Sequence, residues 1–304
     1  IHEHEIADKK LRDFWEKNPL EKIPEEQFLK FIKEFKNRLY ASWAFLLFGE
    51  AKGIYLEKQA KKTFAGTYEE LSILTHPKIK TAMSESYELI LKKILEPKSI
   101  TYEKYIKDFF WVQTSFFDRK VITKEIFEEI LEKEKKRGLN EIKKEYKKNL
   151  EQEKKLKDQQ KSLKHLINKD IKNLQEFITW GEYRKASMMK SVYYVLDVIH
   201  KIAKELNIDF KSILLYDFDE IIESIQSKKI ISNKEILKKR KISFNAFFSD
   251  KTERWFGNEA KELFNSTKKT DTLIKGSSAC KGKVKGIARV IFNPEKIKFN
   301  KGLK

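Results

Sequence analysis

The stretch EEQFLKFIKEFKNRLYASWAFLL, residues 25–47, decides the fold class. Phe28, Phe31, Ile32, Phe35, Leu39, Trp43, Leu46 and Leu47 recur at steps of three and four, the spacing that puts side chains on one face of an α-helix. The pattern predicts a long helix from Glu25 to Leu56. From Tyr40 to Phe48 the residues are apolar nearly all round, which predicts burial inside a bundle. Gly49 and Gly53 then predict either a close approach by another helix or a break.

The same spacing extends outward on both sides. Ile6, Leu11, Phe14 and Trp15 share a face between Glu5 and Asn18, and Pro19 and Pro24 punctuate the join. Thr67 to Leu95 reads as a helical zone split at Pro77. Tyr102, Tyr105, Ile106, Phe109 and Phe110 continue the period over Thr101 to Phe117. Thr123 is the expected N-cap of a helix over Lys124 to Arg137, with Gly138 closing it. Asn140 to Lys172 is rich in Lys and Glu with sparse apolar positions, and predicts an exposed helix or a loose antiparallel pair. Asn173 to Leu206 is densely patterned again. Asp217 and Glu220 have the spacing of a capping box. Ser232 to Arg240 predicts one more helix. Trp43, Phe109, Trp111, Tyr193 and Leu196 are the expected packing residues.

After about Thr267 the character changes. TLIKGSSACKGKVKGIARVIFN, residues 272–293, alternates, and Val284, Ala288, Val290 and Phe292 would share a strand face. Gly282 and Gly286 suit a turn or bulge. Strand is expected only from about residue 269 onward. Two strands cannot bury their own face, so the expectation is a chain cut inside a second domain. IHEHEIADKK at the start has no initiator Met and no apolar signal core, which leads us to expect a longer reading frame or processing.

Composition bounds the function. The 304 residues are 40% hydrophobic, 12% aromatic and 37% charged, enough apolar content for a core, so wholesale disorder is excluded. With 10 Gly and 5 Pro, an all-β fold lacks its turns. Cys280 is the single cysteine, which excludes an internal disulfide framework and fits a reducing, cytoplasmic setting. The most apolar short run, Leu39 to Phe48, is too short to cross a membrane. The net charge of +19 suggests nucleic acid at first sight, but only eight of the 65 basic residues are Arg. Phosphate and base recognition leans on Arg forks, and the Lys excess reads instead as codon bias toward A and T. Nucleic acid is therefore not an expected partner.

The motifs of phosphate loops, dinucleotide sites and helical zinc sites are absent from the sequence. His2 and His4 form an H-x-H pair of weak metal-binding potential. His76 and His165 are isolated, and His200, beside apolar neighbours, reads as a core histidine. Glu69-Glu70 and Glu128-Glu129 read as surface charge. Cys280 reads as structural, because Lys281 is the one nearby group that would lower its pKa. No catalytic, cofactor-binding or metal residue is assigned.

The segment from Lys275 to Val290 resembles the opening of the swivelling phosphohistidine domain of the phosphoenolpyruvate-utilising enzymes, which runs G-x-x-A-[SC]-P-G-x-[VA]-x-G-x-[AV]-R-V. Gly276, Ala279, Cys280, Gly282, Val284, Gly286, Arg289 and Val290 match, and Lys281 replaces the usual Pro. Phe177 to Leu206, with Tyr183-Arg184-Lys185, resembles the family's linker helices. Leu215 to Ile221 resembles its L-T-x-[ED]-E-I step, and Ile231 to Arg240 the I-x-x-R helix that follows. More loosely, Leu71 to Leu91 and Phe110-Trp111-Val112 fit the helical module of phosphoenolpyruvate synthase-like proteins.

The resemblance implies a mainly α fold. A multi-helix bundle, residues 1–268, would be a linker module, and residues 269–304 would begin an incomplete β/α swivelling domain. It implies a parent phosphotransferase that moves a phosphoryl group from ATP, with Mg, through a phosphohistidine to an acceptor. Its partners would be an ATP-grasp domain before Ile1 and the rest of the swivelling domain, with the histidine beyond Lys304. This chain by itself would be inactive. The alternative is a non-catalytic basic helical scaffold that binds nucleic acid or protein.

Overall fold

The computed structural model describes residues 1–77, 79–229, 238–240, 243–247 and 252–267. It is mainly helical and divides into two compact units, Ile1–Lys241 and Ile242–Lys304. The sequence-based boundary at 268/269 and the whole motif from Gly276 to Val290 lie outside the described residues, as do residues 232–237 of the last expected helix.

In the first unit, α1 spans His2–Lys17 and α2 spans Glu25–Thr63. After α3 (Tyr68–Leu74), α4 (Ala82–Leu95), α5 (Tyr102–Phe109) and α6 (Lys124–Lys135) comes α7, Leu139–Ser162. The unit ends with α8 (Lys169–Glu205), a single turn α9 (Phe210–Ile213) and α10 (Phe218–Ser227). The two longest helices, α2 and α8, pack on each other and carry the rest.

Three apolar clusters hold this unit. Leu11, Phe28, Ile32, Phe35 and Leu39 from α1 and α2 meet Tyr194, Val198 and Ile202 of α8, with Ile213 and Ile221 closing the end. The Trp15 and Tyr194 rings stack there at 4.6 Å. Ile90, Leu91, Tyr105, Phe109, Phe127, Leu131 and Ile142 form a second cluster among α4 to α7. A third joins Leu56 and Ala60 of α2 to Leu71, Leu74, Ile171 and Leu174. Phe109, Trp111 and Leu196 are buried as expected, and Trp43 and Tyr193 pack half-buried against the first cluster.

Helix ends follow the local chemistry. The Thr123 hydroxyl accepts from Ile126 N–H at 3.4 Å, and Asp217 and Glu220 cap each other. Asn207 closes α8 in the left-handed region at φ 51°. Gly138, at φ +93°, connects α6 to α7 in a conformation that favours glycine.

Several expectations are corrected. The helix from Thr101 stops at Phe109 rather than Phe117, because the chain turns to bury Trp111, whose indole N–H donates to Asp108 O at 3.0 Å. Tyr40 is 51% exposed, so α2 is not buried all round there; its ring meets Phe218 edge-on. Gly49 and Gly53 do not break α2, which runs on to Thr63.

The Lys-rich stretch is one helix, α7, and not a pair of strands or helices folded on themselves. It is largely exposed, with Leu150 at 42%, yet it is tied down. Lys80 bridges Glu88 and Glu153 at 2.5 and 2.7 Å, and the Gln160 amide donates to Ile73 O at 3.0 Å. The end of that stretch belongs to α8, where Ile171 is fully buried.

In the second unit, β1 (Ser243–Phe247) pairs antiparallel with β2 (Thr252–Phe256), Ser243 opposite Phe256 and Phe247 opposite Thr252. Strand therefore begins well before residue 269. β2 passes directly into α11, Gly257–Thr267, and Gly257 takes φ +63° at the join. α11 packs on both strands and buries Ala260, which gives the hairpin the cover that two strands lack by themselves.

Candidate functional site

The first polar constellation lies where α1 crosses α8. His4, Asp8 and Arg12 follow at steps of four on α1, one above another on a single face. Trp180, Tyr183 and Ser187 face them from α8. His4 and Asp8 are 1% and 2% exposed. The Trp180 indole N–H donates to His4 Nδ1 at 3.2 Å, which leaves the imidazole proton on Nε2. That Nε2 is buried and, among the described residues, has no hydrogen-bond partner. Burial lowers the His4 pKa.

Asp8 is held from three sides. It accepts from the Tyr183 hydroxyl at 2.7 Å and from the Ser187 hydroxyl, and Arg12 Nε lies 3.1 Å away as an ion pair. Burial, then the bond to Asp8, pushes the Tyr183 phenol well above its ordinary value. One turn further along α8, Ser191 accepts from the Trp43 indole at 2.7 Å and joins α2 to the row.

The second constellation is more open. Tyr193, Asp197 and His200 are at steps of four and three on α8. Arg119, on the segment between α5 and α6, pairs with Asp197 at 2.6 Å, donates to the Tyr193 hydroxyl at 3.2 Å and stacks over its ring. Burial raises the Asp197 pKa against the pull of Arg119, and lowers that of His200. Beside them Glu21, Lys201 and Lys204 line a broad cleft of about 650 Å³. A narrower cleft of about 370 Å³ lies between α2, α3 and α8, over Leu71, Leu174 and Phe177.

The sequence candidates are dispersed. His2 and His4 face opposite ways, exposed and buried, so the H-x-H pair cannot chelate. His76 and His165 are exposed. His200 is not a core residue: it is exposed, with Phe210 stacked on its ring at 3.8 Å. Its apolar neighbours along the sequence occupy the other side of α8. Glu128 and Glu129 are exposed, as expected. Glu70 is more than surface charge, since it accepts from Thr67 N–H at 2.7 Å and caps α3, which lowers its pKa. Cys280 lies outside the described residues.

Among the described residues no group of three or more His, Cys, Asp or Glu side chains is placed to hold a metal ion. In the α1–α8 row His4, Asp8, Trp180 and Ser187 are buried, and Arg12 and Tyr183 are partly exposed. In the open cleft Asp197 is committed to Arg119, and among the described residues His200 makes no side-chain hydrogen bond. Both constellations tie helices together: Asp8 joins α1 to α8, and Arg119 joins the α5–α6 segment to α8. Sequence reading missed the first one, although Asp8 interrupts the stripe that Leu11 and Trp15 continue. A charged residue on an apolar face is the signal of a buried polar contact. Among the described residues, no helix is long and apolar enough to cross a membrane. No family model, curated protein or solved structure matches the chain.

Proposed function

We propose that the chain is the helical linker of a phosphoenolpyruvate-utilising phosphotransferase, together with the opening of its swivelling phosphohistidine domain. The observation that carries this reading is the motif Gly276, Ala279, Cys280, Gly282, Val284, Gly286, Arg289 and Val290. Two features upstream support it. The stretch resembling the family's linker helix is one continuous helix, α8, ended by the left-handed Asn207. Arg240, at the end of the stretch that resembles the I-x-x-R helix, grips Glu220 of the stretch that resembles the L-T-x-[ED]-E-I step.

In this reading residues 1–268 are a spacer in the cytoplasm. ATP, Mg and the phosphohistidine belong to the parent's other domains, which are the partners. The spacer supplies no group to the reaction. It fixes the base from which a carrier domain swings between two sites.

The test is phosphorylation of the reading frame extended past Lys304. It is incubated with ATP labelled in its β- and γ-phosphates, or with labelled phosphoenolpyruvate. Acid-labile, base-stable label on a histidine beyond Lys304 is the expected result. Absence of label from both donors in a folded, extended protein overturns the reading.

Phe116 and Phe117, 55% and 77% exposed beside the anchored Arg119, favour a second reading as a protein-binding scaffold. That reading gains if no label forms and a Phe116→Ser, Phe117→Ser double variant loses a defined protein partner.

A further inference from the structure

We propose that the N-terminal half of α1 is an acid-released clasp on α8, with His4 as its trigger. This does not depend on the phosphotransferase reading.

His4 is enclosed by rings. Trp180 and Tyr183 of α8 meet it edge-on at 5.6 and 5.8 Å, and Phe45 of α2 at 6.1 Å. Its two nitrogens are in unequal states: Nδ1 accepts from Trp180, and Nε2–H has no partner among the described residues. An incoming proton must bind at Nδ1, the atom with the lone pair. The indole N–H then faces another N–H at 3.2 Å, and a buried cation is left with no acceptor on either nitrogen. A buried, unpaired charge is among the most costly arrangements in a protein interior.

The surrounding charges do not rescue it. Among the described residues, Asp8 and Glu5 on α1 favour the cation, while Arg184 on α8 opposes it; from α2 the Phe45 ring meets His4. Asp8, one turn on along α1, is already engaged by Tyr183, Ser187 and Arg12. The simplest relief is for the first turns of α1 to leave α8 and carry His4 into water. Leu11, Phe14 and Trp15 stay in the first cluster and hold the second half of the helix.

The direction follows from linkage. The folded pKa of His4 lies below the ordinary 6.5. The stabilisation is thus fully present above about pH 6.5 and is lost as the pH falls from there toward the folded pKa. Each unit by which that pKa lies below the free value makes release about tenfold easier across the window.

Hydrogen exchange, expressed as protection factors for the amides of residues 5–11 and of α2, tests this between about pH 7.5 and 5.0. Protection of 5–11 should fall severalfold while that of α2 holds. His4→Phe, which keeps a ring and cannot titrate, should abolish the pH dependence. An NMR titration of the His4 ring in the unmodified protein needs no variant. Protection unchanged with pH, an equal fall in His4→Phe, or a His4 pKa at or above the free value each overturn the clasp.

Discussion

Glu220 binds Arg240 through both carboxylate oxygens, at 2.5 and 2.7 Å, while the same side chain accepts from the Asp217 backbone N–H at 2.9 Å. One carboxylate thus caps α10 and holds a residue twenty positions further on. Arg240 also donates to Leu215 O at 3.1 Å, so a single guanidinium gathers the entry to α10 and the residue just before the second unit. A flat, forked donor matches a carboxylate in a way that a Lys ammonium cannot.

Arg240→Lys should therefore behave almost like Arg240→Ala. Each should cost about 1.5–3 kcal/mol, the range for hydrogen bonds to charged groups. A double-mutant cycle with Glu220→Gln, read by thermal or urea unfolding, should give a coupling energy above about 1 kcal/mol. A coupling near zero would mean that the pair is incidental.

Glycines in α2 and α8 separate two opposing effects. Replacing a helix-interior Gly with Ala gains up to about 1 kcal/mol of helix propensity. At Gly181 of α8 an added Cβ meets nothing within 4 Å, so Gly181→Ala should stabilise. At Gly53 of α2 the Cβ would lie 2.7 Å from Phe177 Cε1, a ring that also packs on Trp180 at 5.4 Å. Overpacking of this kind costs about 1–3 kcal/mol. Gly53→Ala should lower the melting temperature and Gly181→Ala should raise it, each by about 2–4 °C per kcal/mol.

The helices were legible in the sequence because their signals are local. The period of Phe28, Phe31, Ile32, Phe35 and Leu39, and the Thr123 and Asp217 caps, reside within one or two turns. The polar row of α1 and α8 was not legible, because His4 and Trp180 are separated by 176 positions and meet only after α2 and α8 have packed. His200 was misread for a related reason. Apolar neighbours along a helix surround it in sequence, but they point to the other side. The β-hairpin before residue 269 was missed because SFNAF and TERWF are five residues each, too short for alternation to stand out.

Removing the carboxylate of Asp8 should be more damaging than its short side chain suggests. Asp8→Ala leaves the Tyr183 and Ser187 hydroxyls without their acceptor and the partly exposed Arg12 without its ion pair, and should cost about 1–3 kcal/mol, the range for leaving buried polar groups unsatisfied. Asp8→Asn keeps an acceptor and should cost less. The phenol of Tyr183, held high by burial and by Asp8, should titrate closer to its ordinary value of about 10 in Asp8→Asn. Absorbance at the phenolate band follows this directly. An unchanged Tyr183 titration would mean that burial acts without Asp8.

The last prediction concerns activity of the 304-residue chain. Phosphoryl transfer rests on positioning and charge stabilisation, with phosphate-cradling backbone, metal-holding carboxylates and a nucleophile at one place. Among the described residues no such set is assembled. His4 is sealed, His76 and His165 stand apart on the surface, and Phe210 covers one face of His200. The purified chain should neither hydrolyse ATP nor acquire acid-labile label from it. His76→Ala, His165→Ala and His200→Ala should each leave the chain folded, with a far-ultraviolet circular dichroism spectrum like that of the unmodified protein, since His76, His165 and His200 are exposed. The direct measurement is incubation with labelled ATP and Mg, followed by acid treatment. Acid-labile label on residues 1–304 would place the carrier histidine on the surface of this helical unit and remove the reason for seeking it beyond Lys304.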